Sequence, residues 1–446
     1  MNFWDVAIVG AGPAGMLAAE HLEAQGLRVL LLDGGGRPGP DGGPPALDEA
    51  AWRYETAGTP CDWLRVRAVG GASLAWGGWC NRFPEIVFRD GGWPYDAGTL
   101  EPHYDAVERR LNVVSEPIPG RYQRLGETLG IEVAARRVSR IDGRAWTGVQ
   151  SLTVARVRAA TVVVGLDYRG RRVRALEVIG PDGRSESIPA RAFLIAASPV
   201  ETARLLLASD LGARCSRIGE GLTYHPMVGY ALIESGTATA ADPGAAFVPR
   251  FVNVGAKSRR PYPGGFSVEL NGPFIAGDLA AELQGRLTTG APLPANARVT
   301  FIHAMGEATA CPRRRVDLSP SGTDSLGRPV PRIHLAWTED DQAMVSDMNE
   351  VCVAIAENMA DNGGELVHYL DPVAAPILFH EAGTCAMGPA AIGAPCDPWG
   401  RVRALDNVWV ADASALPSAG DRHPTLTILA HALRAAGSAG RWLEAG

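Results

Sequence analysis

Residues 5–33 read DVAIVGAGPAGMLAAEHLEAQGLRVLLLD, and this stretch decides the fold. Val6–Val9 is a short apolar run of the kind that becomes a strand buried on both faces. Gly10, Gly12 and Gly15 follow it as G-x-G-x-x-G. Leu17, Ala18, His21 and Leu22 then recur at helical spacing, and Gly26 is placed to end that helix. Arg28–Leu32 is a second apolar run, closing on Asp33. Strand, glycine turn, helix and strand in this order predict the first unit of a Rossmann-like parallel sheet. Gly10 permits the tight turn, Gly12 lets backbone approach a pyrophosphate, and Gly15 lets helix and strand pack closely. Phosphates are then met by free N–H groups and by the positive end of the helix dipole. Asp33 lies 23 residues after Gly10, where an acid accepts from a ribose 2′-OH. The motif does not separate FAD from NAD.

Outward from this unit, Gly34–Pro45 is a Gly/Pro-rich loop and excludes a regular element. Arg67–Phe83, RAVGGASLAWGGWCNRF, places four glycines and two tryptophans in one loop, as suits backbone approaching a large flat ligand or a turn with core tryptophans. Trp93–Val113 predicts a turn and then an amphipathic helix with Tyr104, Val107 and Leu111 on one face. Val157–Ile188 alternates like strands around turns at Arg169-Gly170 and Asp182-Gly183. Ala192–Ala208 reads as strand, turn and helix, a return to the nucleotide domain. Gly229–Val299 is weakly patterned and predicts the strands of a separate substrate domain. Val316–Trp337 reads as two strands around a turn, and Glu339–Asn358 as a helix.

With 446 residues, 46% hydrophobic and 20% charged, the chain has material for two or three domain-sized units. The net charge of −7 and the lack of any basic run beyond Arg313-Arg314-Arg315 argue against a nucleic-acid partner. Seven cysteines without CxxC pairs argue for reduced thiols in a cytoplasmic protein and against a zinc site. No leader is expected before the first strand, and no apolar stretch approaches the roughly 20 residues that span a bilayer.

Two C-terminal segments carry candidate chemistry: Phe379–Gly388, FHEAGTCAMG, and Val408–Arg434, VWVADASALPSAGDRHPTLTILAHALR. In the second, Val408–Ala411 predicts a strand ending at Asp412, and His423-Pro424-Thr425 opens a helix running through Leu433. His380 and His423 lie in Gly- or Pro-marked loops. His21, His103, His225, His303, His334, His368 and His431 read more simply as packed or surface residues. Cys385 reads as a small packed residue, not a nucleophile.

Seven segments, in order and spacing, resemble the glucose-methanol-choline (GMC) oxidoreductases: VGAGPAG at 9–15, VGGASLAWGG at 69–78, WPYDAGTLEPHYDAVERRLNV at 93–113, ETARLLL at 201–207, IGEGLTYHP at 218–226, HEAGTCAMG at 380–388 and DASALP with HPTLT within 412–427. The resemblance implies an α/β fold: a Rossmann-like FAD-binding domain from discontinuous segments (1–80, 151–226 and 395–446), a connecting cap (81–150), and a substrate domain with an antiparallel sheet (227–394). It implies that Gly10, Gly12, Ala14, Gly15 and Asp33 hold the ADP half of FAD. Gly70, Gly71 and Ser73 would lie along the pyrophosphate and flavin, Asp412 and Ala413 near the ribityl and phosphates, and Pro424 and Thr425 at the isoalloxazine. His380 takes the position of the base that accepts the alcohol proton, and His423 that of its partner on the substrate oxygen, while hydride passes to the flavin. Some relatives attach FAD through a histidine in the GGxS loop. Leu74-Ala75-Trp76 offers none here, so non-covalent FAD is expected. Asp33 stands where most relatives have Glu, and Ala197-Ser198-Pro199 matches the family signature poorly.

The expected activity is oxidation of an alcohol on a sugar, amino sugar (aminoglycoside-like) or polyol natural product in secondary metabolism, with oxygen or a redox partner as acceptor. The resemblance is nearer the bacterial sugar and polyol dehydrogenases than secreted fungal oxidases. The alternatives are a sterol or other hydrophobic alcohol oxidase, which needs a broad apolar pocket, and a non-redox lyase of the same fold. An NAD(P)H-dependent reductase would carry a second G-x-G-x-x-G in mid-chain, and none is present.

Overall fold

Val6, Ala7 and Ile8 have no solvent exposure, because strand Trp4–Val9 (β1) has a strand on each side and helices above and below. The computed structural model describes residues 4–39, 52–151, 156–235, 244–254, 261–287, 293–360, 364–374 and 376–445. β1 belongs to a sheet with β2 (Val29–Leu32), β3 (Val157–Arg158), β4 (Val162–Arg169), β5 (Arg172–Ile179) and β6 (Ser185–Ile195), in the order β3-β2-β1-β6-β5-β4. β1 runs parallel to β2 and β6, and β4, β5 and β6 form an antiparallel meander. The meander turns at Gly170 and Gly183, both with positive φ, as the turn dipeptides indicated.

The second sheet is antiparallel. It holds β7 (Met227–Glu234), β8 (Gly244–Phe251), β9 (Phe266–Ile275), β10 (Arg298–Gly306) and β11 (Glu365–Leu370), in the order β11-β7-β10-β9-β8, with Ala134–Ala135 outside β8. Its core is aliphatic and sulfur-rich, with Met344, Met348 and Cys352 of helix Glu339–Met359 packed on Val228, Val268 and Ile302. That helix starts at a capping box in which Thr338 and Asp341 satisfy each other's backbone N–H. β12 (Val408–Val410) returns to the first sheet and runs parallel to β6.

Helix α1 (Pro13–Glu23) follows β1, and a C-terminal helix, Thr425–Ala445, lies on it, with Ala18, Leu22, Ala436 and Ala439 in one buried cluster. This contact corrects the C-terminal reading. The helix does not stop at Leu433, because Ala435, Ala436, Ala439 and Leu443 still have apolar surface to bury. Small residues suit the close approach: a Cβ at Gly440 would lie 2.4 Å from Gln25 Oε1. The strand before Asp412 ends one residue early, at Val410, and α1 ends at Glu23, with Gly26 (φ +80) in the turn beyond. The helix in the cap spans Glu101–Arg110, and Tyr104, Val107 and Leu111 are all buried. Residues 34–39 hold one isolated bridge, Gly36 to Ala68, and no longer element; 40–45 of the proposed Gly/Pro loop lie outside the described residues.

Candidate active site

One cavity of about 660 Å³ runs from the glycine turn to the two histidines. Gly10, Gly12, Ala14 and Asp33 line one end, Gly71 and Ser73 the middle, and Asp412, Ala413, His380, His423, Pro424 and Thr425 the rest. Gly15 and Gly70 stand behind this lining. A Cβ on Gly15 would meet Gly10 O at 2.0 Å, so Gly15 is the close helix–strand contact. Gly70, at φ +108, donates its N–H to Ala11 O and so ties the GGxS loop to the glycine turn. A Cβ on Gly12 would meet nothing within 4 Å, leaving it to project into open space.

Asp33 accepts from Ala11 N–H and Gly35 N–H, both at 2.7 Å. Burial raises its carboxyl above the ordinary value against those two donors. Asp412 is a hub. Its Oδ2 accepts from Ser198 N–H at 2.9 Å and Thr202 Oγ1 at 2.7 Å, and its Oδ1 accepts from Ser414 N–H at 2.8 Å. Burial pushes its carboxyl up too, opposed by the Ser414 and Thr202 hydrogen bonds. Ser198 sits at φ +78 without being glycine, a strained backbone beside the cavity at the point where the family signature was poorly matched.

His380 and His423 come together from segments 43 residues apart. Nε2 of His380 and Nδ1 of His423 lie 3.4 Å apart, and the rings meet edge to face. His380 is half-buried in the cavity wall. Burial holds its imidazole well below its usual value, helped by the neighbouring His423 and His225, so it is neutral at pH 7. A neutral imidazole is the form that can take a proton. Trp79 stacks on His423 at 5.4 Å, and Phe379 lies against His380 at 4.2 Å.

Two further groups stand at the pair. The His225 ring lies 5.3 Å from that of His380. Its Nδ1 is bonded to Gly306 O at 3.0 Å, its Nε2 has no hydrogen-bond partner, and burial pulls it down to about 4. Glu269, buried on β9, brings Oε1 to 2.8 Å from His423 Nε2. The sequence reading left both out. His225 sat inside the quoted segment IGEGLTYHP, where the adjacent Pro226 was the available signal. Glu269 gave none, because one acid in an irregular strand has no motif.

Known proteins resemble this chain in sequence and in fold. Residues 312–432 match the GMC oxidoreductase family model, and residues 8–57 match an NAD(P)-binding Rossmann-like domain. Paromamine 6′-oxidase of Streptomyces fradiae is 27% identical over 97% of this chain and 90% of its own length. The 6‴-hydroxyparomomycin C oxidase of Streptomyces lividus matches with the same identity and coverage. In structure, pyridoxine 4-oxidase from Mesorbium loti superposes with a TM-score of 0.70 at 21% identity, covering 98% of this chain and 99% of that one. Residues 312–432 thus match the GMC oxidoreductases, and nearly the whole chain is similar to oxidases of this type.

A GMC oxidoreductase of this kind is an FAD-dependent alcohol oxidase or dehydrogenase, and the residues present fit the cofactor. The N-terminus of α1 opens on the cavity through Gly12, whose missing Cβ leaves room for a pyrophosphate. Pro424 and Thr425 bring the start of the C-terminal helix to the cavity beside the histidine pair. Arg65 Nε and Arg67 Nε are buried without hydrogen-bond partners on residues of the same lining. Among the described residues no cluster of His, Cys, Asp or Glu is arranged to hold a metal.

Proposed function

We propose that this enzyme oxidises an alcohol group on an amino sugar of the aminoglycoside type in secondary metabolism. The convergence of His380 Nε2 and His423 Nδ1 in the cavity carries the reading, since two imidazoles 3.4 Å apart suit proton transfer from a hydroxyl bound between them. The likeness to two oxidases named for paromamine and a paromomycin supports the amino-sugar class. So does the net charge of −7, which suits a cationic substrate.

His380 accepts the hydroxyl proton at Nε2, and His423 flanks the same hydroxyl. FAD, when bound, supplies the acceptor for the hydride that leaves the substrate carbon. Gly10, Gly12, Ala14 and Asp33 would hold its ADP half, with Gly15 shaping the turn behind them; Gly71, Ser73, Asp412 and Ala413 would hold its middle, with Gly70 behind the loop; Pro424 and Thr425 would meet the ring. Trp79 and Phe379 flank the histidines with apolar surface and keep water from the reacting oxygen. Attachment is non-covalent, since Ala75 and Trp76, which meet the cavity from the GGxS loop, offer no nucleophile. Acid precipitation should then leave FAD in the supernatant. The seven free thiols support a reducing, cytoplasmic location. Among the described residues no helix is long and apolar enough to cross a membrane.

The test is anaerobic mixing of the yellow protein with amino sugars, neutral sugars and polyols, pyridoxine-type alcohols and sterols, following flavin absorbance. Bleaching by amino sugars alone supports the reading, and bleaching only by another class overturns the substrate assignment. Recovery of colour on admitting air marks oxygen as acceptor; its absence marks a redox partner.

A further inference from the structure

Glu269 is a buried acid whose ion-pair partner among the described residues is His423. It lies on β9, opposite Phe247 of β8 and opposite His303 of β10 in the strand register. Its Oε1 has no hydrogen-bond partner, and neither has Nε2 of His423, yet the two atoms are 2.8 Å apart. The distance is that of a hydrogen bond and the angle is not. Small rotations align it, as catalytic hydrogen bonds commonly tighten once substrate is bound. His303 does not compete for the carboxylate with a charge of its own. Burial holds its imidazole low, and its Nε2 is engaged by Tyr369 Oη.

We infer that Glu269 is a positioning residue: it holds the Nε2–H of His423, leaves Nδ1 as the lone-pair nitrogen facing His380, and so makes His423 the place where the substrate proton comes to rest. The two rings of the pair are not equivalent. His380 Nδ1 is buried with no partner, and the two titratable rings against it are imidazoles, His225 and His423. A charge left on His380 would have no counter-charge. His423 has one on its far side. The acids and bases beside it are Glu269 from β9, His303 from β10, His380 and His225 across the cavity, and Asp421 and Arg422 in its own loop. Asp421 is already bonded to Arg422 and Arg250. Glu269 is therefore the carboxylate free to answer His423. A carboxylate on the far nitrogen of an imidazole fixes its tautomer and stabilises the imidazolium.

The balance closes. The O–H bond breaks and its proton goes to His380 Nε2. That proton crosses the 3.4 Å to His423 Nδ1, returning His380 to its neutral form and leaving a His423 imidazolium against Glu269. The electron pair of the breaking C–H bond leaves with the hydride to FAD, and the substrate becomes a carbonyl compound.

The inference rests on the alcohol-oxidising reading of the site, so its test has an arm that needs no substrate. In the FAD-loaded wild type, long-range ¹⁵N–¹H spectra of the histidine rings should show neutral His423 protonated at Nε2. Protonation at Nδ1 overturns the inference without any variant. In Glu269→Gln the His423 ring should lose its preference for the Nε2–H form and populate Nδ1–H in the same spectra, and an unchanged ring spectrum overturns the inference. With a substrate in hand, E269Q should slow flavin reduction about ten- to a hundredfold and move the acid limb of its pH profile down. Glu269→Asp should restore that limb. If E269Q instead raises KM for amine-bearing substrates alone and leaves the limb in place, Glu269 is a substrate anchor and the inference fails. If no alcohol reduces the flavin while the ring spectra behave as described, the functional reading fails and the Glu269–His423 pairing stands.

Discussion

Asp412 and Thr202, 210 residues apart, are joined by a 2.7 Å hydrogen bond between Oδ2 and Oγ1 in the fully buried floor of the cavity. The same carboxylate takes Ser198 N–H and Ser414 N–H, so it fastens the end of β12 to the start of helix Pro199–Ala208. Asp412→Ala should leave these donors without an acceptor. The cost is about 3 kcal/mol, in the range for stranding several buried donors. We expect a thermal midpoint lowered by several degrees in the FAD-free protein and a further loss of FAD affinity. An unchanged midpoint would show that water replaces the carboxylate.

The three glycines of the first turn should separate by experiment. Gly12→Val adds a side chain where a Cβ meets nothing within 4 Å, on the side open to the cavity. The FAD-free protein should fold with its midpoint little changed, yet purify colourless. Gly15→Ala puts a Cβ 2.0 Å from Gly10 O, and Gly10→Ala puts one 2.2 Å from Ala196 O at φ +98. Both should lower the midpoint itself. Retention of FAD by Gly12→Val would place the pyrophosphate elsewhere.

His380→Ala should keep the yellow colour and lose flavin reduction by roughly 10²–10⁴-fold, the usual range for a positioned proton acceptor. FAD should stay bound, since the glycine turn and Asp412 are untouched. His423→Asn, which keeps a polar group near the same hydroxyl, should cost less than His423→Ala. Stopped-flow absorbance of the anaerobic protein reads both. Near-normal reduction by His380→Ala would remove it from the chemistry.

Much of this site was legible because its parts carry local signatures. G-x-G-x-x-G between apolar runs specifies a strand, a turn with positive φ at Gly10, and a helix, and all three are local events. HEAGTCAMG and HPTLT were legible by resemblance, and the fold brings their histidines within 3.4 Å. What escaped was non-local. Glu269 reaches His423 only because β9 lies beside β10 in the second sheet, and nothing in the sequence states that register. His225 read as a packed histidine, and it is packed; its place beside His380 depends on the non-local bridge between Thr223 and Ala382. The extra length of the C-terminal helix was missed for a similar reason. Gly437 and Gly440 look like helix breakers until α1 is seen lying against them.

The last prediction concerns pH and uses His431, remote from the reaction. It lies buried in the C-terminal helix with Nε2 bonded to Val410 O at 2.9 Å, and burial brings its imidazole down to about 4. In the unfolded chain the same ring titrates near about 6.5. Between those values the unfolded state binds a proton that the folded state does not, so stability rises with pH. The contribution is present above the unfolded value and is lost as pH falls toward the folded one, at up to about 1.4 kcal/mol per pH unit. Other groups act in the same range, among them His225 in the same sense and the raised carboxyls of Asp33 and Asp412 in the opposite one. A single substitution removes them from the comparison. His431→Gln can keep a donor to Val410 O and cannot titrate. Its thermal midpoint should fall less steeply than that of the wild type from pH 6.5 to pH 4, and the two curves should run parallel above pH 7. Equal slopes across the acid range would mean that His431 is protonated in the folded protein as readily as in the unfolded chain.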